Sequence, residues 1–295
     1  MPTNKIKKKI LITGGSGFIA SHVADHLSEN GHSVFLLDRK KSKYLKKNQK
    51  MIICDILNKK KIEKKLKNID IVYHFAAEAD LFDSNKNPYY SIQCNIIGTT
   101  NIAEGCAKNK IKQIIYASSI YALSEQGGFY SLTKLSSEMI IENYCKKYGM
   151  KFVILRFGSI YGSRANYFNT IQNFVKSAIE NKKITRNSNG REIRNFINVS
   201  DVAKICTKII KRKYYNSFLN IYGPQKKRVF EVLKYIKQNI PNTKIIFRKK
   251  NKMKYNYVTT PFTYKLRKGK KVKLDNYISL EKGIKDIIGN FTNEK

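Results

Sequence analysis

Residues 10 to 20, Ile10-Leu-Ile-Thr-Gly14-Gly15-Ser-Gly17-Phe-Ile-Ala20, constrain the fold more than any other stretch of the chain. An apolar run breaks into glycines and resumes as an amphipathic segment, the pattern of strand, tight turn and helix. Gly14 permits a turn that most residues would strain, Gly17 lets backbone N–H groups approach a ligand, and Ala20 lets helix and strand pack closely. The helix that follows, Phe18 to Glu29, aims its positive N-terminal end over the turn, so Gly14, Gly17, Phe18 and Ile19 form an anion site suited to a pyrophosphate. A second apolar run, Ser33-Val-Phe-Leu-Leu37, ends in Asp38, about 20 residues beyond the turn, where an acid meets a ribose 2′-hydroxyl. This spacing predicts a dinucleotide site that favours NAD. Arg39, Lys40 and Lys41 pull toward NADP, because cations there can hold a 2′-phosphate.

The pattern then repeats. Met51-Ile-Ile-Cys54 is a third strand ending at Asp55-Ile56, and a helix with Ile62 and Leu66 on one face follows. Ile69 to Phe75 is a fourth strand, running into Ala76 and Ala77, small residues that let a cofactor approach. Pro88 opens a long helix carrying Asn95, and Gln113 to Ala117 is a fifth strand. Strands apolar on both faces that alternate with helices indicate a doubly wound parallel sheet, whose ligands sit at the strands' carboxyl ends.

That rule places Ala117-Ser118-Ser119-Ile-Tyr121 over the cofactor, followed by Phe129-Tyr130-Ser-Leu-Thr-Lys134 opening a helix to about Tyr148. Tyr130 and Lys134 share a helical face. An ammonium near a phenol favours the phenolate, which lowers its pKa from about 10 toward working pH. With a serine hydroxyl beside it, such a tyrosine takes the proton of a carbinol while hydride leaves to the cofactor.

These motifs resemble the extended short-chain dehydrogenase/reductases, in particular the NAD-dependent nucleotide-sugar epimerases and dehydratases, over almost the whole chain. Thr13 to Ala20 resembles their T-G-x-x-G-x-x-G/A turn, Asp55-Ile56 their adenine-contacting D-[LIV], Phe75-Ala76-Ala77 their H-x-A-A strand end, and Asn95 their structural Asn. Tyr130 and Lys134 match the catalytic pair. Leu155 to Gly162 resembles L-R-x-x-N-x-Y-G, Arg194 to Ala203 resembles R-D-F-x-x-V-x-D-x-A, and Ser279 to Ile284 the closing S-L-x-E-G-I. The resemblance implies a Rossmann-type α/β fold with a small C-terminal α+β substrate lid, NAD, a nucleotide-diphosphate sugar and a homodimer. Residues 1–165 would be the dinucleotide domain, with 195–213 returning to it, and 166–295 mainly the substrate subdomain.

Three departures bear on chemistry. The family's catalytic Ser/Thr stands four residues before the Tyr of its V-Y-G signature, where this chain has Ala117, so Ser118 or Ser119 takes the part and Ser119 is favoured. Ile120 and Tyr121 replace the Asp-Glu of the dehydratases, which argues against 4,6-dehydration. Ser159 replaces an Asn that contacts substrate. Arg191 and Arg194 are candidates for the substrate's diphosphate, since guanidinium forks match phosphate oxygens. The expected function is a 4-epimerase, with a dehydrogenase, reductase or dehydratase as alternatives and an idle dinucleotide-binding sensor or scaffold outside the enzymes.

Composition narrows the surroundings. No run of 18 apolar residues and no signal-peptide core occurs, which predicts a cytoplasmic protein without a membrane span. Five scattered cysteines without a C-x-x-C pair support neither disulfides nor zinc, and His22, His26, His32 and His74 lie at no ligand spacing, so no metal is expected. The net charge of +37 raises the question of nucleic acid, but the lysines are spread over nearly every helix and loop. Only 244–273, with Tyr255, Tyr257 and Tyr264 interleaved, is concentrated. A solvated face is the expectation there, with weak, nonspecific nucleic-acid binding at most.

Overall fold

The computed structural model describes residues 7–124, 126–224 and 226–248. The closing Ser279–Ile284 motif, the three tyrosines and most of the basic stretch lie outside them. Among the described residues no helix is long and apolar enough to cross a membrane.

The chain alternates as its apolar runs dictate: β1 (Lys9–Thr13), α1 (Phe18–Glu29), β2 (Ser33–Asp38), β3 (Gln49–Ile53), α2 (Lys59–Lys65) and β4 (Ile71–His74). Two short helices, α3 (Leu81–Lys86) and α4 (Pro88–Ile92), lead through a π-helical turn at Gln93–Ile97 into α5 (Gly98–Lys108). Then come β5 (Gln113–Ser119), a 3₁₀ turn, α6 (Phe129–Tyr148) and β6 (Lys151–Phe157). The remainder is β7 (Ser159–Tyr161), α7 (Thr170–Asn181), β8 (Lys183–Arg186), β9 (Ile193–Asn198), α8 (Val199–Lys208), β10 (Ser217–Ile221), β11 (Lys226–Arg228), α9 (Val229–Asn239) and β12 (Lys244–Phe247).

Seven parallel strands form the main sheet in the order β10-β6-β5-β4-β1-β2-β3. The order reverses between β1 and β4, and such a switch point opens a crevice at the strands' carboxyl ends. Both faces are apolar and covered. Ala20, Val23, Ala24 and Leu27 of α1 share one core with Val202, Ala203 and Cys206 of α8. On the other face Ile62, Ile102, Cys106, Ile141 and Cys145 from α2, α5 and α6 close over Leu11, Val72, Ile114 and Ile154. The long-range bond from the Tyr73 hydroxyl to the Cys206 carbonyl, 2.7 Å, ties α8 to the sheet's centre.

A third, smaller core joins Phe174 and Ala178 of α7, Ile184 of β8, and Val229, Leu233 and Ile236 of α9. Around it lie the parallel pair β8–β12 and a three-stranded sheet β11-β9-β7. The chain therefore leaves the main sheet after β6, builds this smaller layer, and returns twice, as α8 and as β10.

Gly14 is a packing requirement as well as a turn. Its φ is +69°, and a Cβ there would stand 2.7 Å from the Ala76 backbone nitrogen. Gly31 has a similar φ of +86° but open space around it. Gly14→Ala is expected to cost about 1–3 kcal/mol of stability and clearly more than Gly31→Ala, which meets conformational strain alone. Urea unfolding of the two variants beside the parent checks the difference.

Candidate active site

The helix carrying Tyr130 and Lys134 is set by glycines and by a cap supplied from another element. Gly127 and Gly128 have φ of +101° and +57°, and the Asn85 side chain on α3 accepts from the Phe129 N–H at 2.9 Å while donating to the Gly127 carbonyl at 3.0 Å. A first-turn N–H that lacks a partner within its helix is thus satisfied. Lower down, buried Asn95 in the π-helical turn accepts from the Glu78 N–H at 2.7 Å and donates to the Thr133 hydroxyl at 3.0 Å. Asn95 lines neither cavity of the site; it braces the β4 loop against α6.

The serines separate by strand geometry. Neighbouring residues of a strand point to opposite faces, and the Ser118 hydroxyl donates to Glu138 Oε1 at 2.5 Å. Ser119 accepts from the Tyr121 N–H at 3.2 Å and lines the same cleft as Tyr130. Ser118 is thereby engaged by the helix, and Ser119 is the serine that bears on the Tyr130 phenol, holding its pKa down.

Protonation departs from the sequence-based expectation. Burial pushes the Tyr130 phenol up to about 12, with the Ser119 bond opposing that rise and nearby Glu78 adding to it. Lys134 is 3% exposed, and burial drives its ammonium down to about 8. Its Nζ donates to the Ala117 carbonyl at 2.9 Å and stands 5.8 Å from the Tyr130 ring centroid. The expected phenolate-favouring effect of Lys134 is therefore overridden by desolvation, which penalises every charged form here. His74 feels the same burial: held between the Thr13 and Thr99 hydroxyls at 2.7 and 2.9 Å, it is pushed down to about 3.

Tyr130 and Lys134 stand in a cleft of about 420 Å³ at the switch point, whose wall also includes Gly14, Gly17, Phe18, Ile19, Asp38, Asp55, Ile56, Phe75, Ala76, Ala77, Ser118 and Ser119. Asp38 accepts from the Ser16 N–H at 3.0 Å and the Lys40 N–H at 3.2 Å, which holds its carboxylate at the rim. Arg39 lines the same wall, with its guanidinium donating to the Tyr90 hydroxyl at 2.8 Å. Asp55 accepts from the Leu57 N–H at 2.8 Å, shaping the loop beneath. The crowded Gly14, the N–H groups at the start of α1 and the rim carboxylate fit a dinucleotide.

A second cavity of about 310 Å³ adjoins the first and shares Ser119, Phe157, Gly158, Ile160, Phe168 and Asn169 with it. Ser159 and Arg194 line this second cavity, together with Arg186. Arg191 is exposed and lines neither. Arg186, which the sequence reading passed over, pairs with Glu192 at 3.0 Å. Helix α7 begins at Thr170, where Asn169 caps it by accepting from the Gln172 N–H at 3.2 Å. Residues 166, 168 and 169 are thus freed for the cleft wall, and the cap signal Asn-Thr-x-x before an amphipathic run was available to locate them.

Burial of Lys134 has a pH signature. Between about pH 8 and 10 the unfolded chain holds a proton on this residue that the folded chain has shed, so stability rises with pH there. Tyr130 has the opposite sign above pH 10, where the folded state keeps a proton that the unfolded one loses. Lys134→Met is expected to remove the rise between pH 8 and 10 and to stabilise the protein at pH 7 by about 1–3 kcal/mol. Urea midpoints of both proteins from pH 6 to 11 test this.

Comparison with known proteins gives the family. The NAD dependent epimerase/dehydratase family matches residues 10–222. A putative UDP-glucose 4-epimerase of Methanocaldococcus jannaschii is 31% identical over 78% of this chain and 82% of its own length. A UDP-N-acetyl-alpha-D-glucosaminuronate decarboxylase of Bacillus cytotoxicus is 30% identical over 79% of this chain and 80% of its own. Among solved structures, a UDP-glucuronic acid 4-epimerase from Bacillus cereus, in complex with UDP-glucuronic acid and NAD, superposes with a TM-score of 0.78 at 25% identity, covering 85% of this chain and 89% of that one. The chain belongs to the NAD dependent epimerase/dehydratase family.

Proposed function

We propose that this protein is a nucleotide-sugar 4-epimerase that uses NAD and acts on a UDP-sugar. The observation that carries the reading is Ser119, which lines both cavities, the first of them together with Tyr130 and Lys134. A hydroxyl held there lies within reach of a base on one side and the dinucleotide cleft on the other. The Methanocaldococcus and Bacillus cereus proteins, named as 4-epimerases, support it.

NAD, when bound, supplies the hydride acceptor and donor. Gly14, Gly17 and the start of α1 would hold its pyrophosphate, and Asp38 its adenosine ribose. Tyr130 takes the proton of the sugar hydroxyl and, once the keto-sugar has turned its other face to the cofactor cleft, returns it to the same oxygen, which Ser119 holds. Lys134 supplies positive charge near a phenol that burial has made reluctant to ionise. Arg194 and Arg186 hold the diphosphate, so the keto-sugar turns about a fixed anchor. In this reading the part after residue 165 is mainly the substrate subdomain. A second copy covers Leu132 and Met139, exposed residues seven apart on one face of α6.

A second reading has one observation in its favour. The half-buried Glu78 carboxyl, which accepts from the Asp80 N–H at 3.1 Å, follows the Ala76–Ala77 strand end that lines the first cavity. Eliminating water needs an acid, and this is the carboxyl next to that wall, so a dehydratase is the alternative.

Incubation with UDP-glucose, UDP-N-acetylglucosamine and UDP-glucuronic acid is expected to give the 4-epimer with no net NADH. A keto-deoxy product would favour the dehydratase, and stoichiometric NADH a dehydrogenase. Tyr130→Phe is expected to lower kcat by about 10²–10⁴ with NAD affinity intact; unchanged turnover would remove the enzymatic role given to Tyr130.

Cofactor choice is tested at Asp38. Its carboxylate is the charge nearest a 2′-phosphate, whereas exposed lysines are screened over about 8 to 10 Å. NAD is expected to bind more tightly than NADP, with Asp38→Ala narrowing the gap. Tighter NADP binding by the parent protein would show that Arg39 and its neighbours govern the site.

A further inference from the structure

The loop between β7 and α7, residues 162–169, contributes Asn166, Phe168 and Asn169 to the wall of the dinucleotide cleft. It is held at a residue outside that wall. Arg164 Nη2 pairs with Asp25 Oδ2 on α1 at 2.9 Å, and its guanidinium carbon lies 4.7 Å from the Tyr44 ring centroid, in the segment between β2 and β3. Asp25 also accepts from Gln49 Nε2 at 2.9 Å and pairs with Lys46 at 3.5 Å, so one carboxylate gathers the loop, the helix and the β2–β3 segment. The clasp is well formed: the side chains of Arg164 and Asp25 are 23% and 11% exposed.

Two further facts mark Arg164 as more than a surface ion pair. Its φ is +63°, a left-handed conformation that residues with a Cβ hold only where their surroundings over-determine it. The adjoining Ser163 carbonyl accepts from His22 Nε2 at 2.9 Å, a second link to α1. At the far end of the loop the Tyr167 hydroxyl donates to Asp83 on α3 at 3.3 Å, and Asn169 Nδ2 donates to the Ile160 carbonyl at 2.8 Å. The loop thus spans from α1 to α3, pinned at both ends with its middle on the cleft.

We infer that Arg164 is a positioning residue for cofactor retention, a clasp that keeps the 162–169 loop against the bound dinucleotide. The inference rests on the epimerase reading in one respect. An enzyme that returns to the sugar the hydride it removed must keep its reduced cofactor between the two half-reactions. A planar guanidinium suits the task, because it pairs with Asp25 and stacks on Tyr44 at once, which an ammonium does not.

The test is the release rate of NADH from preloaded protein, followed by its fluorescence after mixing with excess NAD, for the parent, Arg164→Ala and Arg164→Lys. Release is expected to quicken at least tenfold in Arg164→Ala, with Arg164→Lys between, because it keeps the charge pair and loses the stacking. A residue that served only fold stability would lower the unfolding temperature and leave release unchanged. Unchanged release in both folded variants, or in Arg164→Lys alone should Arg164→Ala not fold, overturns the clasp and leaves the epimerase reading standing. Faster release in a protein that epimerises none of the sugars supports the clasp while the sugar assignment falls. Failure of the parent protein to bind NADH removes the cofactor reading and the clasp together.

Discussion

Glu138 is a carboxylate with 2% exposure, and the site's architecture hangs from it. It receives the Ser118 hydroxyl and a forked Arg156 guanidinium, Nε at 3.0 Å and Nη2 at 2.7 Å. Ser118 and Arg156 are register partners on β5 and β6, so one side chain of α6 grips two adjacent strands at a single rung. Lys134 is one turn earlier on the same helix, and Ser119 is the next residue along the strand. Breaking such a buried pair by removing one partner costs about 3–5 kcal/mol, because the other charge is left desolvated. The spacing of Ser119, Tyr130 and Lys134 thus follows from an interaction none of them makes.

The same burial that locks the framework opposes the chemistry. A phenol at about 12 and an ammonium at about 8 are both nearer their neutral forms than in water, which is the reverse of the phenolate and ammonium a proton abstraction uses. Closeness of Tyr130 to Lys134 is not enough by itself to ionise the phenol. A positive charge arriving in the cleft would favour the phenolate, and the reaction would then be coupled to cofactor occupancy. That coupling has a stability penalty in the ligand-free protein, the usual relation between a working site and the fold that carries it.

Which parts of this were legible in the sequence follows from how local each constraint is. The glycine turn, Asp38 at the end of β2, and Tyr130 with Lys134 are short-range patterns whose spacing is set within a turn, a strand or a helix. The parallel sheet was legible for the same reason, as its strands are apolar on both faces. The second cavity was not, because its wall draws on β5, β7, β8, β9 and the loop before α7, and Arg186 differs from Arg191 only in where tertiary packing aims it. The direction of the Tyr130 shift was missed on similar grounds, since proximity of charges is readable from spacing and desolvation is not. Five residues of β10, alternating in exposure at the sheet's edge, carried too weak a pattern to be assigned.

Charge is informative here in the minority sign. With 58 basic and 21 acidic residues, a given lysine says little about position, whereas an acid that is buried in this chain has a task. Glu138 joins α6 to β5 and β6, Asp25 joins α1 to the cleft loop, and Glu192 receives Arg186 beside the second cavity. Each has an arginine partner, and at Glu138 the guanidinium is forked, giving the carboxylate more than one donor; the weaker hydration of arginine makes its burial less costly than that of lysine. The lysine pairs, by contrast, all include an exposed ammonium, where solvent and salt leave little net attraction. Among the described residues the paired lysines therefore keep their charge in solvent, screened over about 8 to 10 Å, while a few arginine–carboxylate contacts organise the interior and the rims of both cavities.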